Sequence, residues 1–180
     1  MLEVIIFSIF VGFLRSRTLK GLLEIKITLF PLVLAALLLR FVAVVLGGKG
    51  YSFFIHYGPY IQIVSFAALI YVLIINGSSL RLVAVGVVLN FLVILANGGL
   101  MPVSAAAISR AELEDMDLYV THTYVEEDTP LWFLADIIPV PPPYPHNRVV
   151  SIGDIILAGG LFLFIQRSMF FPKERSRVTK

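Results

Sequence analysis

The sequence predicts an all-α integral membrane protein, a bundle of about five transmembrane helices with one long polar loop. Three observations lead there. The 180-residue chain is 58% hydrophobic and only 14% charged, more apolar than a soluble domain of this size can hide. Its apolar residues fall in runs close to the roughly 20 residues that carry a helix across a bilayer. Its 14 Lys and Arg residues gather at alternate connections between those runs.

The chain reads as a single membrane domain, residues 1–180. Met1 to Leu14 is apolar but short, and reaches across only if Arg15 and Arg17 extend their charged ends to the far surface. With Glu3 and no basic segment ahead of it, this stretch is not expected to be a cleaved signal peptide. Arg15 to Lys26 carries Leu19, Leu22, Leu23 and Ile27 at helical spacing and suggests a short interfacial helix. Ile27 to Leu46 is a full-length span that contains Pro31 and Arg40, broken by Gly47-Gly48-Lys49-Gly50. Tyr51 to Tyr60 has the aromatic content of an interfacial belt. Ile61 to Ile75 is the third span, and Asn76-Gly77-Ser78-Ser79 a tight turn. Leu80 to Ala96 is the fourth span and Ile152 to Phe171 the fifth, followed by a basic tail.

The orientation follows from the cations. With five spans, the first connection, the Asn76 turn and the tail lie on one side and hold ten of the 14 Lys and Arg residues. The other side holds three, Lys49, Arg110 and Arg148. The excess marks the cytoplasmic face, so the expected topology is N-out, C-in.

The extracytoplasmic loop is then residues 97–150. It is acidic, with a short helix expected near 105–116 behind Ser104 as N-cap. Leu131-Trp132-Phe133-Leu134 reads as a segment lying back on the membrane surface. Residues 139–145 hold five prolines, Pro139, Pro141, Pro142, Pro143 and Pro145, which favour an extended strap. Ser151 restarts a helix as N-cap, with Asp154 near its N3 position.

The polar residues of the spans share a depth. Arg40 and Asn90 each lie about 9 Å below the outer helix end at 1.5 Å per residue. Gln62 and Ser65 sit near the outer end of the third span, Asp154 in the first turn of the fifth, and Glu3 at the start of the first. They also lie on stripes of small residues: Ala36, Arg40, Ala43 and Gly47; Gln62, Ser65 and Ala68; Gly86, Asn90 and Asn97. Such stripes face neighbouring helices. A charge in hydrocarbon needs a partner, and Asp154 is the first expectation for Arg40, Glu3 the second. Gln166, near the inner end, reads as interfacial.

Plainer readings stand beside these. Asn97-Gly98-Gly99 is an ordinary helix C-cap and turn. Ser151 to Asp154 is a capping box. No nucleophile elbow, zinc-protease motif, phosphate loop or dinucleotide fingerprint occurs. The chain has no cysteine. His56, His122 and His146 lack metal-ligand spacing, so neither metal nor cofactor is expected. A net charge of only +2 gives no footprint for nucleic acid.

Three motifs, ANGGLMPVS (Ala96 to Ser104), LADIIP (Leu134 to Pro139) and SIGDIILAGGLFLFIQ (Ser151 to Gln166), together resemble a family of small bacterial integral membrane proteins of unknown function. Gly12 to Arg15 fits its opening. Ala135 stands where members often have glycine, and the strap is richer in proline than usual. The resemblance implies a multi-pass protein of the bacterial cytoplasmic membrane and brings no activity. Carried over by motif, it points to Asn90, Asn97, Gly98, Gly99, Met101, Pro102, Asp136, Ser151, Gly153 and Asp154.

The expected function is recognition of a small amphipathic ligand or membrane lipid in an outer-leaflet polar pocket built from Arg40, Gln62, Ser65, Asn90, Asn97, Gly98, Gly99, Asp136, Ser151 and Asp154. The alternatives are an accessory or scaffold subunit with a membrane-protein partner, and a membrane enzyme or transporter using Asp136 and Asp154.

Overall fold

A computed structural model describes residues 2–113, 120–142 and 147–169, except the side chains of Ser78 and Ser79. Five long helices carry it: α1 (Leu2–Leu14), α3 (Phe30–Gly48), α4 (Ser52–Ile75), α5 (Arg81–Ala96) and α7 (Ile152–Ser168). Between them lie α2 (Lys20–Leu23), α6 (Ala105–Arg110) and the short strands β1 (Met101–Val103), β2 (His122–Tyr124), β3 (Ile138–Val140) and β4 (Arg148–Val150).

The helices pack side by side in the order α3, α4, α5, α7, α1. Short connections make α3 and α4, then α4 and α5, antiparallel neighbours. α5 and α7 are also antiparallel, since Gly86 meets Gly153 and Gly160 meets Val83. α1 runs parallel to α7: Glu3 reaches Arg148, Phe7 stacks near Phe162, and Gly12 receives the Met169 side chain. The helix termini therefore group at the two ends of the bundle. The loop end holds Leu2, Gly48, Ser52, Ala96 and Ile152; the opposite end holds Leu14, Phe30, Ile75, Arg81 and Ser168.

Glycines set the closest approach. A Cβ at Gly86 would lie 2.6 Å from the Gly153 carbonyl oxygen and the Leu157 nitrogen, and one at Gly160 would lie 2.6 Å from the Val83 nitrogen. Close backbone approach without side chains is how helices pack when little else drives them together. Around this seam Phe66, Val83, Val87, Val93, Ile94 and Met101 form the main core. Much of the outer bundle surface is apolar and exposed, including Leu34, Leu38, Phe41, Val64 and Ile74.

Two helices, α3 with 19 residues and α4 with 24, are long and apolar enough to cross a membrane. α1, α5 and α7 have 13, 16 and 17 residues. At 1.5 Å per residue these reach about 20, 24 and 26 Å, short of the roughly 30 Å hydrocarbon layer.

Several expected boundaries move. The aromatic stretch from Tyr51 forms the first turns of α4, continuous with the third span, and its Pro59 lies inside the helix. The glycine pair Gly47-Gly48 does not break α3, which ends after it. The interfacial helix shrinks to the single turn α2. The all-α expectation is corrected by the four strands. β1 pairs in parallel with β2, and β3 with β4 in an antiparallel ladder that takes in the first residues of the expected strap. Residues 143–146 of that region lie outside the described residues. The loop helix α6 has the expected cap, Ser104 Oγ accepting from the Ala107 N–H at 3.3 Å. It stops at Arg110 because Glu112 turns left-handed, at φ 54°; residues 114–116 of the expected helix lie outside the described residues.

Candidate functional site: polar ties beneath the loop

Two polar networks occupy the loop end of the bundle. The first joins α5 to α7. Ser151 precedes α7 in extended backbone, so its hydroxyl is free to accept from the Asp154 N–H at 2.9 Å. The Asp154 carboxylate in turn accepts from the Ser151 N–H at 3.4 Å, completing a capping box. Asn90, one face of α5, inserts into this box. Its Nδ2 donates to Asp154 Oδ1 at 2.8 Å, and its Oδ1 accepts from Ser151 Oγ at 2.9 Å. Asn90 and Ser151 are buried. Gly153 makes room for the amide: a Cβ there would lie 2.8 Å from Asn90 Cγ and overlap Oδ1.

The second network joins α3 and α4 to the loop. Val120 fills a notch between Gly47 and Gly58 that only glycines leave open. Beside it, Gln62 Nε2 donates to the Thr121 carbonyl at 3.1 Å, and the same carbonyl accepts from the Met101 N–H at 2.8 Å. The Arg40 guanidinium donates to Gln62 Oε1 at 3.4 Å and lies over the Phe66 ring, 4.8 Å from its centroid. Further along, Thr121 Oγ1 shares a hydrogen bond with His122 Nδ1 at 2.9 Å, and His122 Nε2 lies 3.5 Å from Asp136 Oδ2. The Asp136 backbone bonds to Pro102 O and the Ser104 N–H, each at 2.9 Å, which fixes its side chain inside the loop. Burial pushes the Asp136 carboxyl above its ordinary range, only partly opposed by His122. Asp136 Oδ1 and Ser65 Oγ are buried with no hydrogen-bond partner among the described residues.

Asn97 and its glycines do something simpler. Asn97 Nδ2 donates to Val93 O at 2.8 Å and Pro130 O at 3.0 Å, closing α5 and holding the loop. Gly98 and Gly99 take φ of 66° and 94°, where glycine is strain-free. Gly99 lies against Pro59, and a Cβ there would meet its carbonyl oxygen at 2.6 Å.

The expected partners of Arg40 are corrected. It forms no ion pair with Asp154 or Glu3 among the described residues. Asp154 is committed to the capping box and Asn90, and Glu3 reaches Arg148 at 3.4 Å. Moreover, α3 packs mainly on α4, whereas α7 packs on α5 and α1, so Arg40 and Asp154 do not touch, although Asp154 is near enough for its charge to act on Arg40. Gln166 is buried and not interfacial: its Nε2 donates to Ser8 O at 2.6 Å, and its backbone carbonyl accepts from Arg17.

A cavity of about 330 Å³ opens beside the first network, bounded by α1, β3–β4 and the first turns of α7. Val4, Val140, Ile155 and Ala158 give it apolar walls; Arg148 and Asp154 are its charged lining. Sequence pattern does not reach Arg148, Thr121 or His122 as site residues: Arg148 reads as a loop cation, and His122 lacks metal-ligand spacing.

The fold and these ties define a helical-bundle protein with two helices long and apolar enough to cross a membrane and a small loop domain tied to one end. The family model described as a family of unknown function (DUF5317) matches residues 24–166, and the chain belongs to that family. It is similar to an uncharacterized protein of Thermotoga maritima, 37% identical over 103 residues. That match spans 57% of this chain and 60% of the relative. No solved structure matches.

Proposed function

We propose that the chain is a five-span protein of the bacterial cytoplasmic membrane, N-out and C-in, that binds an amphipathic molecule such as a membrane lipid at its outer end. Two features support the topology. The directions of the five long helices alternate as successive crossings require, and Arg15, Arg17, Arg81 and Arg167 collect at the end away from the loop. The three shorter helices reach the surface with snorkelling side chains and local thinning of the bilayer. The binding reading rests on the cavity of about 330 Å³. Its apolar walls suit an acyl or isoprenoid segment, and Arg148 and Asp154 give one polar edge for a headgroup, the usual composition of a small-molecule site.

The test is mass spectrometry of molecules retained by the full chain purified from membranes in mild detergent. Wild type should retain a lipid-sized molecule that Ala158→Trp, which fills the cavity, releases. Equal retention by both would overturn the reading.

A second reading, a scaffold whose polar residues only tie helices, is favoured by Asn90: both atoms of its amide are spent on Ser151 and Asp154. In that case Ala158→Trp leaves the retained molecules unchanged, and the chain co-purifies with a membrane-protein partner.

A further inference from the structure

The opposite end of the bundle holds a larger groove, about 700 Å³, between the Ile25 to Ile27 segment, the α4–α5 turn and the last turns of α7. Three cations from three separate elements line it: Lys26, Arg81 and Arg167. None forms an ion pair among the described residues, and no described carboxylate lines the groove. Arg81 opens α5, where the helix dipole disfavours a cation and favours an anion.

The segment that carries Lys26 is held in place. Asn76 Oδ1 accepts from the Thr28 N–H at 2.8 Å, and its Nδ2 donates to Thr28 O at 3.0 Å and Val72 O at 2.8 Å. This clamps the segment carrying Lys26 to the end of α4. Besides Asn76 and Ser168 the remaining wall is apolar, with Leu82 and Leu163 exposed at its rim.

We infer that this groove binds the phosphate of an anionic phospholipid, with its acyl chains laid over Leu82 and Leu163. A free phosphate would satisfy the cations and leave the apolar rim in water; a lipid covers both. Basic pockets between helices at the cytoplasmic face recognise acidic headgroups by this chemistry. The inference rests on the proposed membrane crossing, but not on the cavity at the other end.

The full chain, purified from membranes, is placed in nanodiscs of phosphatidylcholine with phosphatidylglycerol, and retained lipids are counted by native mass spectrometry. Wild type should retain phosphatidylglycerol over phosphatidylcholine. Arg81→Gln with Arg167→Gln should weaken that preference by roughly five-fold per cation removed. Leu163→Glu, which sets an acid at the exposed rim, should abolish it. Arg81→Lys with Arg167→Lys should keep it, as should Lys49→Gln at the loop end. Equal retention of the two lipids, a preference unmoved by the glutamine pair and by Leu163→Glu, or full displacement by inorganic phosphate at matched ionic strength would overturn the inference alone. A chain recovered in the aqueous fraction would overturn the membrane crossing as well.

Discussion

Gly153 faces Asn90 so closely that any side chain at Gly153 would occupy the space of the Asn90 amide oxygen. The two residues are one device. The glycine opens the space, and the asparagine fills it with two hydrogen bonds to the start of α7. Gly153→Ala should therefore force α5 and α7 apart and destabilise the bundle by about 1–3 kcal/mol, as overpacking does. Gly159→Ala, with nothing within 4 Å of its added methyl, should be neutral or slightly stabilising. Thermal unfolding of the two variants in the same detergent compares them.

Asn90→Ala leaves Ser151 Oγ and Asp154 Oδ1 each without the Asn90 partner in a buried or half-buried place. A loss of about 1–3 kcal/mol is expected. Asn90→Asp should be worse than alanine at neutral pH, because it sets a carboxylate against Asp154. Unfolding midpoints at pH 7 test the order.

Asp136 predicts a pH dependence with a definite sign. Its carboxyl is raised above the ordinary value of 3.8 by burial, so the folded chain holds the proton more tightly than the unfolded one. The stability it contributes is fully present below the unfolded value and is lost as pH rises through the folded one. Wild type should lose stability across that window, and Asp136→Asn should flatten the loss. An unchanged pH profile in the asparagine variant would rule the assignment out.

Trp132 is the chain's one tryptophan, 55% exposed and set edge-on to Phe133, itself 48% exposed. An exposed aromatic pair on a short helical turn is suited to the bilayer interface. Bromine placed high on the lipid chains should quench its emission more than bromine placed near the bilayer centre. Equal exposure to aqueous acrylamide with and without bilayers would show the pair pointing into water.

Much of this arrangement is written locally. The Ser151–Asp154 cap needs only its four residues. The small stripe through Arg40 is read from spacing alone, and Ala36, Ala43 and Gly47 are indeed buried. Depth was also readable, since it follows from counting along a helix. The contact was not: the charge of Asp154 reaches Arg40, yet α4 and α5 come between their helices in packing order, and only packing decides which polar groups touch. The strands were illegible for another reason. Three residues cannot show the alternation that reveals a strand, and β1 contains a proline.

The pairing of α1 with α7 has a consequence for synthesis. Arg17 reaches the backbone of Gln166 across 149 positions, and the Gln166 side chain reaches Ser8 across 158. α1 has α7 as its main helical neighbour, so it must wait through the making of every other long helix before its polar contacts exist. Contacts this distant in sequence form late. Of the five long helices described, α1 would thus be made before the other four and docked after them, a closing stave and not a nucleus.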